Sequence, residues 1–293
     1  MAYAVGQGGC LTRCDATAFP RGGLMGLSDR CTGAIPRIDT LCRTIVAECV
    51  KRGFQGVLAD FETNPYSDRL SFLSRLFARL SARGMALYCP LSLPAEGAAL
   101  LVGTGLSGGS LRALLEETAC RYGAERLALD LERVMMDFPL PCPSGCGTPL
   151  TREELLALRE KHPSSVYFSR ELMAKYFTYS AGSGTHFVLF DDAETLRQKV
   201  RLAQGLGIQT AFLMFPEIVD LLPELCAARC AVGKAAPMAL HGAKGEILFQ
   251  KRTSPFESPK RKAGGVSISP PAPPNDQKGG AQPLLFGLSS PRF

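Results

Sequence analysis

The chain has 293 residues, of which 46% are hydrophobic and 20% are charged. No apolar run approaches the ~18 residues of a membrane-spanning helix, so the composition excludes both a helical membrane protein and a wholly disordered chain. The net charge of +6 arises in the C-terminal part, because residues 231–293 hold nine Lys/Arg and three Asp/Glu whereas residues 1–230 hold 24 of each sign. The neutral body gives no reason to expect a nucleic-acid partner.

Strand-like and helix-like segments alternate along the first 222 residues. Strands are predicted at 3–6, 24–27, 56–61, 85–93, 127–138, 186–190 and 210–215. Amphipathic helices are predicted at 41–52, 70–83, 111–122, 155–161 and 196–204. N-caps are predicted at Asp39, Ser67 and Ser110, and capping boxes at Thr151 with Glu154 and at Asp191 with Glu194. This alternation indicates an α/β fold with a largely parallel sheet, either a barrel or a broad doubly wound sheet.

A composition change near residue 232 divides the chain. Residues 231–293 contain nine Pro and eight Gly, together with a basic triplet at 260–262. Such a segment buries too little apolar surface to offset its ordering entropy. We therefore expect a folded domain over 1–232 and a disordered basic tail over 233–293.

The cysteine pattern indicates reduced thiols. The chain has eleven cysteines, an odd number that cannot all pair in disulfides within one chain, and its first residues lack the pattern of a secretory signal. Three pairs share a Cys-x3-Cys spacing, namely Cys10/Cys14, Cys142/Cys146 and Cys226/Cys230. None has the spacing of a zinc site, so we expect a cytoplasmic protein with mostly buried thiols and neither metal nor cofactor.

The strand at 56–61 carries the strongest chemical signal. Side chains alternate along a strand, so Leu58, Asp60 and Glu62 share one face, opposite Val57 and its neighbours. Two carboxylates at the carboxyl end of a parallel strand occupy the position where barrel and open-sheet active sites are built. The alternative is a strand end that emerges into solvent, where acidic residues are common.

The segment Gln55-Gly-Val-Leu-Ala-Asp-Phe-Glu62 resembles the signature strand of glycoside hydrolase family 18, Asp-Gly-x-x-x-Asp-x-Glu. The segments 73–90, 175–179 and 190–193 are also similar to the spore-cortex and chitinase-like branch of that family. The resemblance covers residues 40–222. It implies a (β/α)8-type barrel that cleaves β-1,4-linked N-acetylglucosamine glycans, such as chitin or peptidoglycan, by a substrate-assisted retaining mechanism.

The resemblance also implies roles for individual residues. Glu62 would be the general acid, and Asp60 would orient the substrate acetamide and stabilise the cationic ring. Tyr88, Asp137 and Phe215 would contact the substrate, with Asp137 on a sixth strand at 134–138 and Phe215 ending the last strand as an aromatic floor. Only about 60 residues precede the signature, too few for three full β/α units. The barrel is therefore expected to be incomplete or irregular at its start.

Departures from the family pattern leave a second interpretation open. Gln55 and Leu58 replace two signature acids, and the chain has no Trp. The protein is thus either a glycosidase or a non-catalytic relative whose barrel mouth binds a sugar or a protein. Its oligomeric state is not indicated.

A competing motif lies at residues 103–108, where Gly-Thr-Gly-Leu-Ser-Gly matches the dinucleotide pattern G-x-G-x-x-G and Asp130 comes later along the chain. The strand before it is short and no second nucleotide-binding half is evident, so we expect a glycine-rich loop. His162 is expected in a solvated loop. His186 begins an apolar strand and is expected to be a hydrogen-bonded structural residue rather than a part of the barrel mouth.

Overall fold

The computed structural model describes residues 3–14, 22–29, 33–61, 68–143, 145–182, 184–227 and 246–250. Its strands are β1 (Tyr3–Val5), β2 (Leu11–Arg13), β3 (Leu24–Ser28), β4 (Gly56–Asp60), β5 (Ala86–Pro90), β6 (Ala99–Gly103), β7 (Leu127–Leu131), β8 (Met135–Leu140), β9 (Thr148–Pro149), β10 (Tyr167–Ser169), β11 (Ala174–Ala181), β12 (Gly184–Phe190), β13 (Thr210–Met214) and β14 (Glu246–Gln250). Its α-helices are α1 (Ile38–Arg52), α2 (Asp68–Ser81), α3 (Leu111–Tyr122), α4 (Arg152–Lys161), α5 (Ala193–Gly205), α6 (Phe215–Ile218) and α7 (Leu222–Ala227).

The larger sheet is an open, curled half-barrel. Its strand order is β14-β13-β7-β6-β5-β4-β3-β1-β2, and every neighbouring pair from β14 to β1 is parallel. The short strand β2 turns back antiparallel on β1 at one end of this order. In the described ranges, β1 and β3 are the parallel strands that precede β4 along the chain. The predicted α/β fold, an incomplete barrel that is irregular at its start, is confirmed.

The two sides of this sheet bury different side chains. On the outer side, the apolar faces of the helices pack against alternate strand residues such as Val57 and Ala59. On the inner side, Leu58, Ala128 and Phe212 form a smaller apolar cluster. Gly56 is required beside β5, because a Cβ atom there would collide with the backbone of Ala86.

A second sheet interrupts the parallel one between β7 and β13. It is antiparallel, with the order β10-β11-β12-β8-β9, and α4 packs on one of its faces through Leu155. The prediction of one strand over 127–138 is wrong, because the chain leaves the barrel at residues 132–134, where Val134 exchanges hydrogen bonds with Asp191. The strand predicted at 186–190 exists, but it lies in this antiparallel sheet.

Helix starts agree with the prediction in part. Ser110 caps α3, and Thr151 with Glu154 forms the predicted capping box of α4. The box of α5 is displaced by one residue, since Asp192 with Thr195 forms it. Asp39 lies inside α1 and pairs with two arginines of α2, while Ser67 lies outside the described residues.

The segment predicted to be a tail is described only at β14, whose backbone pairs with β13 from Thr210 to Met214. The remainder of 233–293 lies outside the described residues. In the part of the chain that the structure covers, no helix is long and apolar enough to cross a membrane.

Candidate functional site

The register of β4 places Asp60 at the inner side of the sheet. Leu58 packs in the inner cluster, and alternation therefore directs Asp60, two residues later, to the same side at the carboxyl end of the strand. Asp60 is half-buried, and its register partner on β3 is the buried Ser28. The alternation predicted for Leu58 and Asp60 is the one observed.

Glu62 lies outside the described residues, and the chain just before it is firmly anchored. Phe61 is 5% exposed, and its ring stacks on Phe72 of α2 with centroids 6.0 Å apart. The chain is described again from Asp68, and the neighbouring Arg69 is buried with its guanidinium 3.1 Å from Asp29 and 2.8 Å from the carbonyl of Gly33. The chain is therefore held by packing at Phe61 and by hydrogen bonds at Arg69, on either side of the segment that carries Glu62.

Two further acids lie on β7 or directly after it. Asp130 follows Ala128 on the inner side, and its register partners are Gly103 on β6 and Phe212 on β13. Glu132 lies just beyond the strand, where its carboxylate accepts a hydrogen bond of 3.2 Å from the amide of Gly105. Alternation along β7 places Asp130 on the inner face, whereas Glu132 lies beyond the end of the strand.

The same contact explains the glycine motif at 103–108. A Cβ atom at Gly105 would collide with the Glu132 carboxylate, and one at Gly103 would lie 3.4 Å from it. These two glycines accommodate a neighbouring acid. This packing is the physical reason for glycine at these positions of the predicted loop.

Two predicted aromatic contacts have different positions. Tyr88 of β5 lies in the inner cluster, where its ring meets that of Phe212 edge-on with centroids 4.9 Å apart. Phe215 is not the end of β13 as predicted, because Pro216 comes next in the first turn of α6 and the strand ends at Met214. The inward aromatic residue of β13 is Phe212.

Asp137 lies away from the barrel strands. It belongs to β8 of the antiparallel sheet, so its placement on a sixth barrel strand is wrong. Its carboxylate accepts a 2.8 Å hydrogen bond from the Tyr179 hydroxyl and lies 3.0 Å from Nδ1 of His186. Burial, this hydrogen bond and the Asp137 charge raise the pKa of Tyr179 to about 12.

The histidines take part in the same cluster. The rings of His162 and His186 both stack on the Tyr179 ring, with centroid distances of 4.6 Å and 4.7 Å. His186 is thus a hydrogen-bonded residue of the antiparallel sheet, as expected. His162 follows α4 as its C-cap, where it contacts an aromatic ring that the sequence did not indicate.

A buried ion pair was missed by the sequence reasoning. Lys199 of α5 and Asp191 are both fully buried, 2.7 Å apart, and the Lys199 ammonium also donates to the carbonyl of Thr104 after β6. The pair ties α5 to the carboxyl end of the parallel sheet. A lysine between Leu196 and Leu202, on the apolar face of a helix that follows two aspartates, is the sequence signal that would have indicated it.

The described cysteines give no sign of a metal site. No group of three or more His, Cys, Asp or Glu side chains in the described ranges is arranged to hold a metal ion. Among the eight cysteines whose exposure is described, three are buried, so the expectation that most are buried is wrong for this part of the chain. Burial raises the pKa of Cys42 to about 11 and that of Cys49 to about 12, which makes both thiols poor nucleophiles.

Comparison with known proteins relates this arrangement to solved structures. No protein-family model matches the chain, and no curated protein is significantly similar to it. The Bacillus cereus spore cortex-lytic enzyme SleL aligns over 76% of this chain and 66% of its own, at 17% identity and a TM-score of 0.58. A chitinase from Chromobacterium violaceum aligns over 72% of this chain and 83% of its own, at 15% identity and a TM-score of 0.53.

The likeness extends over only part of some neighbours. The chain spans 55% of the Bacillus megaterium spore cortex-lytic enzyme SleL, with 65% of this chain aligned at 18% identity and a TM-score of 0.49. Sequence identities this low establish a shared fold but not a shared activity. The chain has a divergent glycoside hydrolase family 18-like fold.

Proposed function

We propose that the protein hydrolyses β-1,4-linked N-acetylglucosamine glycans of the chitin or peptidoglycan type. The observation that carries the proposal is the register of β4, which directs Asp60 inward at the carboxyl end of a parallel strand, two residues before Glu62. One structural neighbour is a spore cortex-lytic enzyme and another is a chitinase. The fold and the position of Asp60 support the same class of substrate.

In the proposed reaction, Glu62 protonates the glycosidic oxygen of the leaving sugar. The acetamido oxygen of the substrate attacks the anomeric carbon from the opposite side, and the leaving sugar departs with the proton from Glu62. Water then opens the cyclic intermediate with overall retention, and the Glu62 carboxylate takes up the proton that this water loses. Asp60 hydrogen-bonds the acetamide and stabilises the positive charge that develops on the ring. The buried Phe61, stacked on Phe72, supports this role by fixing the backbone between the two acids.

A non-catalytic sugar-binding protein is the second candidate. It is favoured by Leu58, which packs against Ala128 and Phe212 at the position where the family signature carries an acid. Leu58 supplies no carboxylate that could share a proton with Asp60. Binding of the glycan without cleavage is the expected behaviour of this alternative.

Cleavage of an N-acetylglucosamine hexamer tests the proposal. Glu62→Gln keeps the side-chain shape but removes the transferable proton, and we expect kcat to fall by roughly 10²- to 10⁴-fold. Asp60→Asn should also lower kcat, because an amide can hydrogen-bond the acetamide but cannot balance positive charge. Glu116→Gln is the matched control, since Glu116 is an exposed residue of α3 that pairs with Arg112.

A glucose hexamer without acetamido groups is the second control. It contains no internal nucleophile and should not be cleaved. If the wild-type protein cleaves neither hexamer but binds the acetamido one, and Glu62→Gln binds it equally well, the hydrolase proposal is wrong and the binding protein replaces it.

A further inference from the structure

The hairpin formed by β8 and β9 carries two cysteines in its loop. The strands pair antiparallel through Asp137 and Thr148, and the loop that joins them contains Cys142 and Cys146. The amide of Gly145 donates a 3.0 Å hydrogen bond to the carbonyl of Cys142, which brings the two sides of the loop together. One cysteine of a Cys-x3-Cys pair thus lies on each side of the loop.

The two thiols are within reach of each other. The Sγ atom of Cys142 lies 3.4 Å from the carbonyl oxygen of Cys146. A carbonyl oxygen is about 2.4 Å from the Cα atom of its own residue, so this sulfur lies within about 6 Å of the Cα atom of Cys146. Disulfides join residues whose Cα atoms are ~4.4–6.8 Å apart. Rotation of the two side chains can therefore bring the sulfur atoms into contact.

The two thiols differ in exposure. Cys142 is half-buried against the apolar cluster of Phe138 and its neighbours, whereas Cys146 is exposed. A Cβ atom at Gly147 would lie 2.8 Å from the Phe138 ring and 2.9 Å from the carbonyl oxygen of Asp137, so the chain directly after Cys146 is packed closely on β8. An accessible thiol beside a second thiol is the arrangement of redox-sensing cysteines.

The pair Cys10/Cys14 has the same spacing without this geometry. Strand β2 separates the two residues, and both thiols are exposed. Four residues of extended chain span roughly 13 Å, well beyond the ~7 Å at which Cα atoms can be joined by a disulfide. The spacing in the sequence therefore does not distinguish the two pairs, and the hairpin does.

Burial removes three other thiols from the reaction with oxidants. Cys42, Cys49 and Cys89 are buried, and burial raises the pKa of each thiol. The thiolate is the form that attacks a peroxide, and the oxidant must also reach it. Oxidation is therefore directed to the accessible cysteines.

We propose that Cys142 and Cys146 form a reversible disulfide that closes the β8–β9 hairpin when the protein meets hydrogen peroxide. The Cys146 thiolate attacks one peroxide oxygen, the O–O bond breaks, and Cys146 becomes a sulfenic acid as hydroxide leaves. The Cys142 thiolate then attacks the Cys146 sulfur, the S–S bond forms and a second hydroxide leaves. The protons lost by the two thiols convert both hydroxides to water. The two sulfurs are oxidised and the two peroxide oxygens reduced, and a dithiol reductant reverses the change.

The disulfide acts on the edge of the antiparallel sheet. Strand β9 is the edge strand, has two residues and is exposed. The amide of Leu150, directly after it, donates a 2.9 Å hydrogen bond to the carbonyl of Met135. Thr151 follows as the N-cap of α4. Because the disulfide limits opening of the hairpin, we expect it to slow amide hydrogen exchange at Leu150.

Mass spectrometry of the full chain tests the bond. The reduced protein is treated with hydrogen peroxide, the remaining thiols are alkylated, and trypsin releases residues 134–152, whose only cysteines are Cys142 and Cys146. We expect this peptide to lose two hydrogen atoms and to take up no alkyl group. Treatment with dithiothreitol before alkylation should restore both alkylation sites.

The exposed pair Cys10/Cys14 is the matched control. Trypsin cleaves after Arg13, so a disulfide between these cysteines would join the peptides 1–13 and 14–21. At the peroxide dose that closes the hairpin pair, we expect these two peptides to stay separate.

Single variants test the order of the two steps. In Cys142→Ser, the sulfenic acid at Cys146 should persist and be trapped by dimedone. In Cys146→Ser, the half-buried Cys142 should keep its thiol at the same peroxide dose. Oxidation should slow amide exchange at Leu150 by about 3- to 10-fold in the wild type and leave it unchanged in Cys142→Ser.

Three outcomes would overturn the inference. The first is alkylation of both thiols in peptide 134–152 at a dose that oxidises Cys10 or the exposed Cys120. The second is a disulfide that joins Cys146 to another cysteine or to a second copy of the chain. The third is a Cys142–Cys146 disulfide that leaves exchange at Leu150 unchanged, since the bond would then not close the hairpin. None of these measurements depends on the proposed function.

Discussion

At the residue scale, the buried pair of Lys199 and Asp191 shows how a charged side chain is retained in an apolar environment. Both side chains are fully buried, and Asp191 also accepts hydrogen bonds from the amide of Val134 and the hydroxyl of Thr195. Removing one partner of such a pair leaves the other charge uncompensated, which costs far more than the pair contributes when it is intact.

We expect Lys199→Met to lower the free energy of unfolding by about 3–5 kcal/mol, measured by urea denaturation. Arg201→Ala on the same helix is the control, because the Arg201 side chain is 65% exposed in its pair with Glu194. It should change the free energy by less than ~1 kcal/mol. Adding Asp191→Asn to Lys199→Met should recover part of the loss. Equal effects of Lys199→Met and Arg201→Ala would contradict this explanation.

Residue-scale features are predictable from the sequence where the geometry that decides them is local. The alternation of Leu58 and Asp60 results from strand geometry alone, and it agrees with the packing of Leu58 against Ala128. The prediction that Phe215 ends a strand is wrong, because the end of a strand depends on the next element of the chain, here α6 with Pro216 in its first turn.

At the scale of elements, the start of α5 carries a pH-dependent contribution to stability. Burial opposes ionisation of Asp192, but hydrogen bonds from Lys175 and from the amides of Thr195 and Glu194 outweigh it and hold the pKa of Asp192 below its ordinary value. A carboxyl with a lowered pKa in the folded state stabilises the fold fully above its unfolded pKa near ~4. That contribution is lost as the pH falls through the lower folded value.

Asp192→Asn isolates this charge, because Asn remains a good N-cap. We expect the variant to be less stable than the wild type by about 0.5–1 kcal/mol at pH 7. The difference should shrink as the pH falls from ~5 to ~3, measured by urea denaturation at each pH. A difference that stays constant over this range would show that the cap geometry, and not the charge, is responsible.

At the scale of the whole molecule, β14 decides how far the folded domain extends. The composition places the domain boundary near residue 232, yet residues 246–250 pair with β13 along its full length. Without β14, the backbone groups of β13 on that side would form an exposed sheet edge.

Two truncations test this extension. Deleting residues 246–293 should speed amide hydrogen exchange in Thr210–Met214, because their partners on β14 are removed. Deleting residues 253–293 should leave that exchange unchanged, as expected for a segment rich in Pro and Gly. Mass spectrometry of peptic peptides measures the amide hydrogen exchange of both truncated chains. If the two truncated chains exchange alike in β13, the pairing does not contribute to the domain.

Features that depend on neighbouring residues were predictable from the sequence alone. Helix faces, the caps Ser110 and Thr151, and the inward direction of Asp60 result from periodicity and capping chemistry within a few residues. The choice of strand partners emerged only in the folded chain. Asp137 and His186 lie in an antiparallel sheet beside Tyr179. The sequence did not indicate this position, because strand pairing joins residues far apart in the chain and the alternation within one strand does not specify its partner.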